Sequence, residues 1–422
     1  MILRSWAEAL SNANGPAERI DLHVQDALAA FHAGIATRDG QALARLYRGS
    51  LPEHAAAVAA IARSSECDDI HLSSCVTPGA AVIPVALAFA KNRTDAGVQH
   101  AIAAGYAAGL NLGVAIGGAK ALANGVWPTL LAAPLMAAVT ASRLLGHDSE
   151  RLAHAMALAL ARASGRIGRP TGTPSDRWFA FAEAVARGIR AAEAVGRGFT
   201  GDPALLSREW LAREAGHDAI DMAAFESSTL SIAEVGFKPF PIARQGANAV
   251  AAFQRLLSAG LDPRRVDSVA VSVPAINVAL LSRPLANDRL SRLCNIGFQI
   301  ACAALAPDML YDSGRASADS APLLEFARRV SLSAASDLDA HLPGCWPARV
   351  MVSAGGERFE ETLVKAPFDH DAPGLPAFLR DKWQRLPGDE AQNLNEGTSF
   401  VTKASGRYSM LWQGIERRAG IL

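Results

Sequence analysis

The chain has 422 residues, and its 41 Lys plus Arg against 41 Asp plus Glu give a formal net charge of zero. This balance argues against a general nucleic-acid binder, which needs a basic excess to neutralise phosphates. With 50% hydrophobic and 19% charged residues, the chain can bury a large core and is unlike a disordered protein. Its five cysteines form an odd set without a CxxC pair, which favours a reducing, cytoplasmic compartment over a disulfide framework or a zinc site.

The first half of the chain has the period of α-helices. We expect no signal peptide, because the first fifteen residues lack a continuous apolar stretch. From residue 17 to 259, apolar residues recur at spacings of three and four, as in the series Ile20, Val24, Ala27, Leu28 and Phe31. Helix-boundary signals occur at Thr94-Asp95 before one segment and at Gly146-His147-Asp148 between two others. At 201–203, Gly-Asp-Pro is predicted to open a further helix.

Two long stretches without charged side chains, 101–119 and 121–142, are long enough to be tested as membrane spans. Both consist mostly of small residues, and the second contains Pro128 and Pro134, which interrupt a helix and weaken partition into lipid. We therefore predict a buried helix pair and no membrane partner.

Strand-like alternation begins only in the second half. It is found at 266–273, 330–333 and 348–353, and the last of these continues through Gly355-Gly356 into 358–364 as a predicted hairpin. After residue 367 the helical period returns. The sequence thus predicts a mainly α protein with two domains: residues 1–237 together with 368–422 form a large helical domain, and residues 238–367 form a smaller α+β domain.

One dense polar cluster precedes an apolar helix. It contains Glu66, Asp68, Asp69 and His71, and the break at 77–79 follows it. Carboxylates and an imidazole this close in sequence can supply an acid and a base to one cleft. Acidic residues before a helix are also common as solvated turn formers, so the cluster by itself leaves both interpretations open.

Three cations are candidates for binding an anion. Lys238 and Arg244 flank the stiff Pro239-Phe-Pro241 segment, and Arg177 precedes Trp178. Arginine offers a carboxylate a two-pronged donor and lysine a point charge. Lys238 and Arg244 are equally consistent with a bridge between domains, and Arg177 with a surface salt bridge.

The glycine-rich pieces 113–118 and 165–168 match neither a dinucleotide-binding fingerprint nor a phosphate-binding loop, and neither follows a predicted strand. We interpret them as sites of close helix packing. The sequence also lacks the GxSxG and HExxH motifs, which leaves a serine hydrolase or a zinc protease without support.

Taken in order, the motifs resemble the MmgE/PrpD family, which includes 2-methylcitrate dehydratase, cis-aconitate decarboxylase and iminodisuccinate epimerase. The resemblance covers about residues 17 to 310 and rests on the segments 68–71, 78–87, 105–110, 127–129, 141–146, 198–203, 238–241 with Arg244, and 266–269.

This resemblance implies a large helical domain completed by the C-terminus, a smaller α+β lid and a homodimer. It also implies an enzyme without metal or organic cofactor that moves a proton next to a carboxylate of a small substrate. By motif, Asp68, His71 and Lys238 then become the catalytic candidates, while Arg177 and Arg244 become binding residues for the substrate anion.

Three positions depart from the family pattern. Thr77 and Trp127 stand where the family commonly has histidine, and Gln299 stands where it often has tyrosine. All three are candidate substrate-binding residues. Loss of two imidazoles removes groups that titrate near neutral pH and argues against the usual dehydration. The indole adds apolar volume, which favours a less charged or aromatic substrate.

The leading hypothesis is a cofactor-independent lyase or isomerase in which His71 transfers the proton, Asp68 orients His71, and the three cations hold the anion. A carbon-carbon cyclase or isomerase that works by enolisation is the second hypothesis. A catalytically silent carboxylate-binding homologue is the third.

Overall fold

The computed structural model describes residues 2–167, 175–226, 231–286, 288–314, 320–386 and 406–420. The helices in these ranges are α1 (Ile2–Ser11), α2 (Ala17–Ile35), α3 (Arg38–Leu46), α4 (Leu51–Ser64), α5 (Gly79–Ala88), α6 (Asp95–Ala115), α7 (Ala119–Ala123), α8 (Pro128–Leu145), α9 (Ser149–Leu160), α10 (Asp176–Val195), α11 (Arg208–Ala215), α12 (Arg244–Ser258), α13 (Ala275–Leu281), α14 (Arg289–Cys294), α15 (Ile296–Leu305), α16 (Ala321–Ala327), α17 (Ser336–Asp339), α18 (Leu375–Arg385) and α19 (Arg407–Ala419).

Short 3-10 helices and strands complete the secondary structure. The 3-10 helices are Met222–Phe225, Ile232–Glu234, Pro263–Arg265 and Pro307–Leu310. The strands are β1 (Asp69–Ile70), β2 (Gly236–Phe237), β3 (Val266–Val273), β4 (Val330–Ala334), β5 (Ala348–Ala354) and β6 (Glu357–Leu363). The fold is mainly α, which confirms that part of the sequence-based prediction.

The chain divides into two compact units. Unit 1 comprises Met1–Val235 and Gly388–Leu422, and unit 2 comprises Gly236–Pro387. Unit 2 continues past residue 367, where we placed the end of the smaller domain, and it includes α18. Side chains explain this extent, because Phe378 of α18 packs on Phe368 and Arg385 of α18 stacks on Tyr311. The role of the smaller domain as a lid stays a prediction.

Side-chain caps account for several helix starts in unit 1. The hydroxyl of Thr94 accepts from the backbone N–H of Gly97, and the carboxylate of Asp148 accepts from that of Arg151. Both residues therefore cap helices at predicted boundaries. The prediction for 201–203 was wrong, since the next helix begins only at Arg208, after the capping hydroxyl of Ser207.

The apolar helices form the core of unit 1. All five residues of the series Ile20 to Phe31 are buried. In the described residues one helix, Pro128–Leu145, is apolar and long enough to cross a bilayer, and 89% of its apolar window is buried inside the protein. It packs against α6 and α10. This burial is typical of a core helix in a soluble protein.

Unit 2 is built around a four-stranded sheet with the order β4-β3-β5-β6. β3 pairs in parallel with β4 and antiparallel with β5, and β5 pairs antiparallel with β6. Gly355 and Gly356 join β5 to β6 with positive φ values of 56° and 84°, which glycine adopts without strain. The predicted strands and the predicted hairpin are confirmed.

Candidate active site

The loop between α4 and α5 carries the first two catalytic candidates. It contains β1 and an isolated antiparallel bridge between His71 and Val76. Two of its residues that are not glycine, Glu66 and Cys75, have positive φ values of 59° and 54°. Such conformations are uncommon and concentrate at functional sites, where the surrounding structure enforces them. The left-handed residues enclose the segment that carries Asp68 and His71.

Asp68 is held by a buried arginine. The Nη1 atom of Arg63, in the last turn of α4, lies 3.3 Å from Oδ1 of Asp68 and 2.9 Å from Oε2 of Glu66. Burial by itself would lower the pKa of Arg63, but the charges of Asp68 and Glu66 raise it above the ordinary value. The arginine therefore stays charged and orients both carboxylates.

His71 is also buried, and its ring is positioned by a neighbour in the same loop. Its Nδ1 lies 2.9 Å from the hydroxyl of Ser74 and 3.3 Å from the backbone nitrogen of Ser74. Our sequence-based hypothesis gave the orienting role to Asp68. The contacts at Nδ1 connect the ring to Ser74, and Arg63 donates to Asp68. The orienting role of Asp68 stays a prediction.

Thr77 and Trp127 both lie at the first turn of α8. The backbone N–H of Thr77 donates to the hydroxyl of Thr129 over 3.1 Å, and the two hydroxyl oxygens are 3.3 Å apart. Trp127 is the N-cap residue of α8, with Pro128 and Thr129 in the first turn. Gly165 packs on this turn, because a Cβ there would lie 3.0 Å from the carbonyl oxygen of Trp127. Gly168, of the same glycine-rich piece, lies outside the described residues.

Trp127 also joins two guanidinium groups. The Cζ atom of Arg177 lies 4.7 Å from the ring centre of Trp127 and 4.8 Å from that of Trp178. The Cζ atom of Arg63 lies 5.2 and 5.6 Å from the same two rings. Stacking on indoles holds an arginine in place while its N–H groups still point outward. We call Arg63, Trp127, Arg177 and Trp178 the tryptophan–arginine cluster.

Unit 1 thus brings five of the eight predicted site residues into neighbouring positions. Asp68 connects to the tryptophan–arginine cluster through Arg63, and Trp127 and Arg177 belong to that cluster. His71 and Thr77 lie in the same short loop as Asp68.

A second buried network in unit 1 escaped the sequence analysis. The carboxylate of Asp69 accepts from the hydroxyl of Tyr106 at 2.6 Å and from the backbone N–H of Gly79 at 2.9 Å, and it lies 2.8 Å from Nδ1 of His23. Burial, followed by the negative charge of Asp69, raises the pKa of Tyr106 well above its ordinary value. This network ties the loop of the catalytic candidates to α2, α5 and α6.

Signals for some of the missed residues are visible in retrospect. Arg63 lies in the last turn of α4 and follows the alanine-rich segment 55–62, which is buried on every side. A charge at this position therefore requires a buried partner. His23 lies among the buried positions of α2 in the same way. Neither pattern identifies which distant side chain is the partner.

Lys238 and Arg244 lie in unit 2, and both are buried. Lys238 directly follows β2 and has 2% of its surface exposed. Arg244 begins α12, forms an ion pair with Asp369, donates to Oδ1 of Asn248 over 2.9 Å, and stacks 4.6 Å from the ring centre of Phe368. Burial lowers the pKa of Arg244, and the charge of Asp369 opposes this effect. These contacts favour a structural role for its guanidinium.

Gln299, in α15, is buried in unit 2. Its amide nitrogen donates to the backbone carbonyl of Arg292 over 2.8 Å. The side chain therefore stabilises the junction between α14 and α15.

Within the described ranges, no group of three or more His, Cys, Asp or Glu side chains is placed to hold a metal ion. The five cysteines are free thiols. Burial raises the pKa of Cys75 to about 12, so this thiol remains protonated at neutral pH.

One comparison with known proteins matches a family model to the region that contains this arrangement. Residues 19–217 match the family model described as the MmgE/PrpD N-terminal domain. The matched region includes Asp68, His71, Thr77, Trp127 and Arg177. The search of curated proteins gave no match.

Proposed function

Because the chain belongs to the MmgE/PrpD family through residues 19–217, we propose that it is a lyase or isomerase acting on a small carboxylate or related carbonyl compound. Members of this family are generally enzymes, among them dehydratases and decarboxylases. In the proposed reaction a proton moves at the carbon next to a carbonyl or carboxylate group, without a metal or organic cofactor.

The observation that carries the proposal is the tryptophan–arginine cluster beside the Asp68–His71 loop. Arg177 supplies a positive charge held against two indoles, which suits the carboxylate of a substrate. A cation next to the reacting carbon also stabilises the negative charge that develops when the proton leaves. Asp68, His71 and Lys238 are the proposed catalytic residues.

The same cluster bears on the type of substrate. Trp127 and Trp178 present apolar rings next to the charge of Arg177. We therefore propose a substrate that combines a carboxylate with an apolar or aromatic part, with Thr77 and Trp127 contacting it. Such a substrate also fits the alternative reaction, a carbon-carbon closure or isomerisation by enolisation.

Exchange of substrate hydrogen with heavy water tests the proposed chemistry. We expect the wild-type protein to incorporate deuterium next to a carboxylate, and His71→Ala and Lys238→Met each to lower that rate about 100-fold or more, as for loss of an acid or base. The exposed residues Lys91 and His341 provide matched controls as Lys91→Met and His341→Ala.

Each alternative gives a different result in this experiment. Unchanged rates in both His71→Ala and Lys238→Met would remove these residues from the reaction. Binding of carboxylates in a thermal-shift assay without any exchange would identify a silent binding protein. Product analysis by mass spectrometry separates loss of water or carbon dioxide from ring closure, which conserves the mass.

We further propose that the protein is a cytoplasmic homodimer whose partners are small molecules, with neither nucleic acid nor membrane among them. Sedimentation velocity on the purified protein tests the oligomeric state. A single monomeric species at micromolar concentration would contradict the homodimer.

A further inference from the structure

One nitrogen atom of Arg63 serves two carboxylates of unit 1. Its Nη1 lies 2.9 Å from Oε2 of Glu66 and 3.3 Å from Oδ1 of Asp68. All three residues are buried, with exposed fractions of 4% for Arg63, 7% for Glu66 and 1% for Asp68. Charges interact strongly at this depth, because little water screens them. Asp68 therefore feels both a cation and a second carboxylate that is bound to the same nitrogen.

The guanidinium of Arg63 is held in place by two aromatic rings. Its Cζ lies 5.2 Å from the ring centre of Trp127, the N-cap residue of α8, and 5.6 Å from that of Trp178, in the first turn of α10. Stacking on indoles fixes the plane of an arginine side chain. Burial favours the neutral form of Arg63, but the charges of Asp68 and Glu66 raise its pKa above the ordinary value. Arg63 is thus a fixed positive charge at the start of the loop that carries Asp68.

Glu66 adopts a backbone conformation that is unfavourable for a residue other than glycine. Its φ of 59° lies in the left-handed region, where glycine would cost less. The contact of its carboxylate with Nη1 of Arg63 offsets this cost. A solvated turn former, the alternative that the sequence left open for this cluster, would be exposed, whereas Glu66 is buried. The charge of Glu66 therefore acts on Arg63 and its surroundings.

Further charged or titratable groups come from the neighbouring elements of unit 1, namely Asp69 of the same loop, Tyr106 of α6, Asp26 of α2 and Arg177 of α10. Substitution of Arg63 or Glu66 leaves each of these groups in the protein. A comparison of the two substitutions consequently isolates the charges that meet at Nη1.

We propose that Arg63 and Glu66 are positioning residues with opposite effects on Asp68: Arg63 stabilises its ionised carboxylate, and Glu66 disfavours it. An opposite charge at hydrogen-bond distance favours ionisation of a carboxyl group, and a second carboxylate nearby opposes it. The catalytic part of this assignment rests on the proposed function, in which Asp68 works in its ionised form, either as a base or by orienting His71. The two residues then set the lower limit of the pH range in which the enzyme works.

Carbon NMR of protein labelled with ¹³C-aspartate measures these effects without any substrate. Asp68→Asn identifies the carboxyl signal of Asp68 by its loss. We expect the titration midpoint of this signal to move up by about one pH unit or more in Arg63→Gln, and to move down in Glu66→Gln. A general loss of structure would move both midpoints in the same direction. Such parallel shifts, or an unmoved midpoint in either variant, would overturn the proposal.

A second ion pair of unit 1 provides the matched control as Arg190→Gln and Glu53→Gln. It joins α10 to α4 over 3.1 Å, but its side chains are 59% and 32% exposed. Solvent screens such a pair, so both substitutions should leave the midpoint of Asp68 unchanged. Circular dichroism checks that each variant is folded. Should Arg63→Gln fail to fold, Glu66→Gln still decides, because a midpoint that does not move down in this variant overturns the proposal.

Exchange of the hydrogens of phenylacetate, an aromatic carboxylate, with heavy water adds the catalytic readout. We expect the acid limb of the pH–rate profile to move to higher pH in Arg63→Gln and to lower pH in Glu66→Gln, together with the NMR midpoints. An acid limb that stays in place while the midpoints move would overturn the catalytic part of the assignment. Absence of exchange in the wild-type protein would count against the proposed function, while the NMR titration still decides how Arg63 and Glu66 act on Asp68.

Discussion

At the scale of single residues, Asp69 shows how hydrogen bonds offset the energetic cost of burying a carboxylate in the core. It is nearly fully buried and accepts from Tyr106 and from the backbone of Gly79, beside the ring of His23. An unpaired charge at this depth is strongly unfavourable, whereas one that receives several hydrogen bonds is stable. Position 79 has no room for a side chain beside this carboxylate, because a Cβ at Gly79 would lie 2.7 Å from Oδ2 of Asp69.

We expect Asp69→Ala to lower the free energy of unfolding by about 3–5 kcal/mol, because it leaves buried donors without an acceptor. Asp218→Ala, at an exposed position of the same unit, should change it by about 0.5 kcal/mol or less. Urea denaturation followed by circular dichroism measures both. Equal effects of the two substitutions would contradict the inferred importance of the Asp69 network.

At the scale of secondary-structure elements, close contact between α6 and α8 depends on small residues. A Cβ at Gly105, in α6, would lie 2.2 Å from Oγ1 of Thr140 in α8 and 3.0 Å from Val82 in α5. Thr140 in turn donates to the carbonyl of Met136 over 2.8 Å, so its hydroxyl is held in place. Glycine at 105 sets the distance at which these helices pack.

We therefore predict that Gly105→Ala lowers the free energy of unfolding by about 1–3 kcal/mol through overpacking. Gly414→Ala is the matched control, since this glycine also lies in a helix but has open space at the Cβ position. It should raise stability by about 0.5–1 kcal/mol, because alanine favours the helix. A stabilising effect of Gly105→Ala would contradict the prediction, because it would show that α6 and α8 can move apart without a loss of stability.

At the scale of the whole molecule, all four tyrosines share one electrostatic property. Burial is the largest cause that raises the pKa of each, well above the ordinary value for Tyr106 and to about 12 for Tyr408. The pKa values of Tyr47 and Tyr311 are raised in the same direction. In the unfolded chain these phenols would ionise near pH 10.

Stability should consequently fall in strong alkali. A folded pKa above the unfolded one means that the native state retains protons that the unfolded state loses, so the stabilisation is complete below about pH 10 and declines as the pH rises above it. Tyrosinate absorbance should appear at higher pH in the native protein than in urea, and the unfolding free energy should drop from about pH 10 to 12. Coincident titration curves would contradict this prediction.

The sequence predicted more of the fold than of the candidate site. The alternation at 266–273 predicted β3 within its observed bounds, and the apolar series from Ile20 to Phe31 predicted a buried helix face. Both patterns are local, because the direction of a side chain along a helix or strand repeats every few residues. The family motifs likewise selected Asp68, Trp127 and Arg177, which the tertiary structure connects through Arg63.

The sequence alone determined the mainly helical fold, the hairpin of the sheet and the segments that carry the candidate site, since each depends on neighbours along the chain. Only the tertiary structure decided the partners of the buried polar groups. Asp69 contacts His23, 46 positions away in the sequence, and Tyr106, 37 positions away. Such pairs arise from helix packing, which produces no periodic pattern in the sequence.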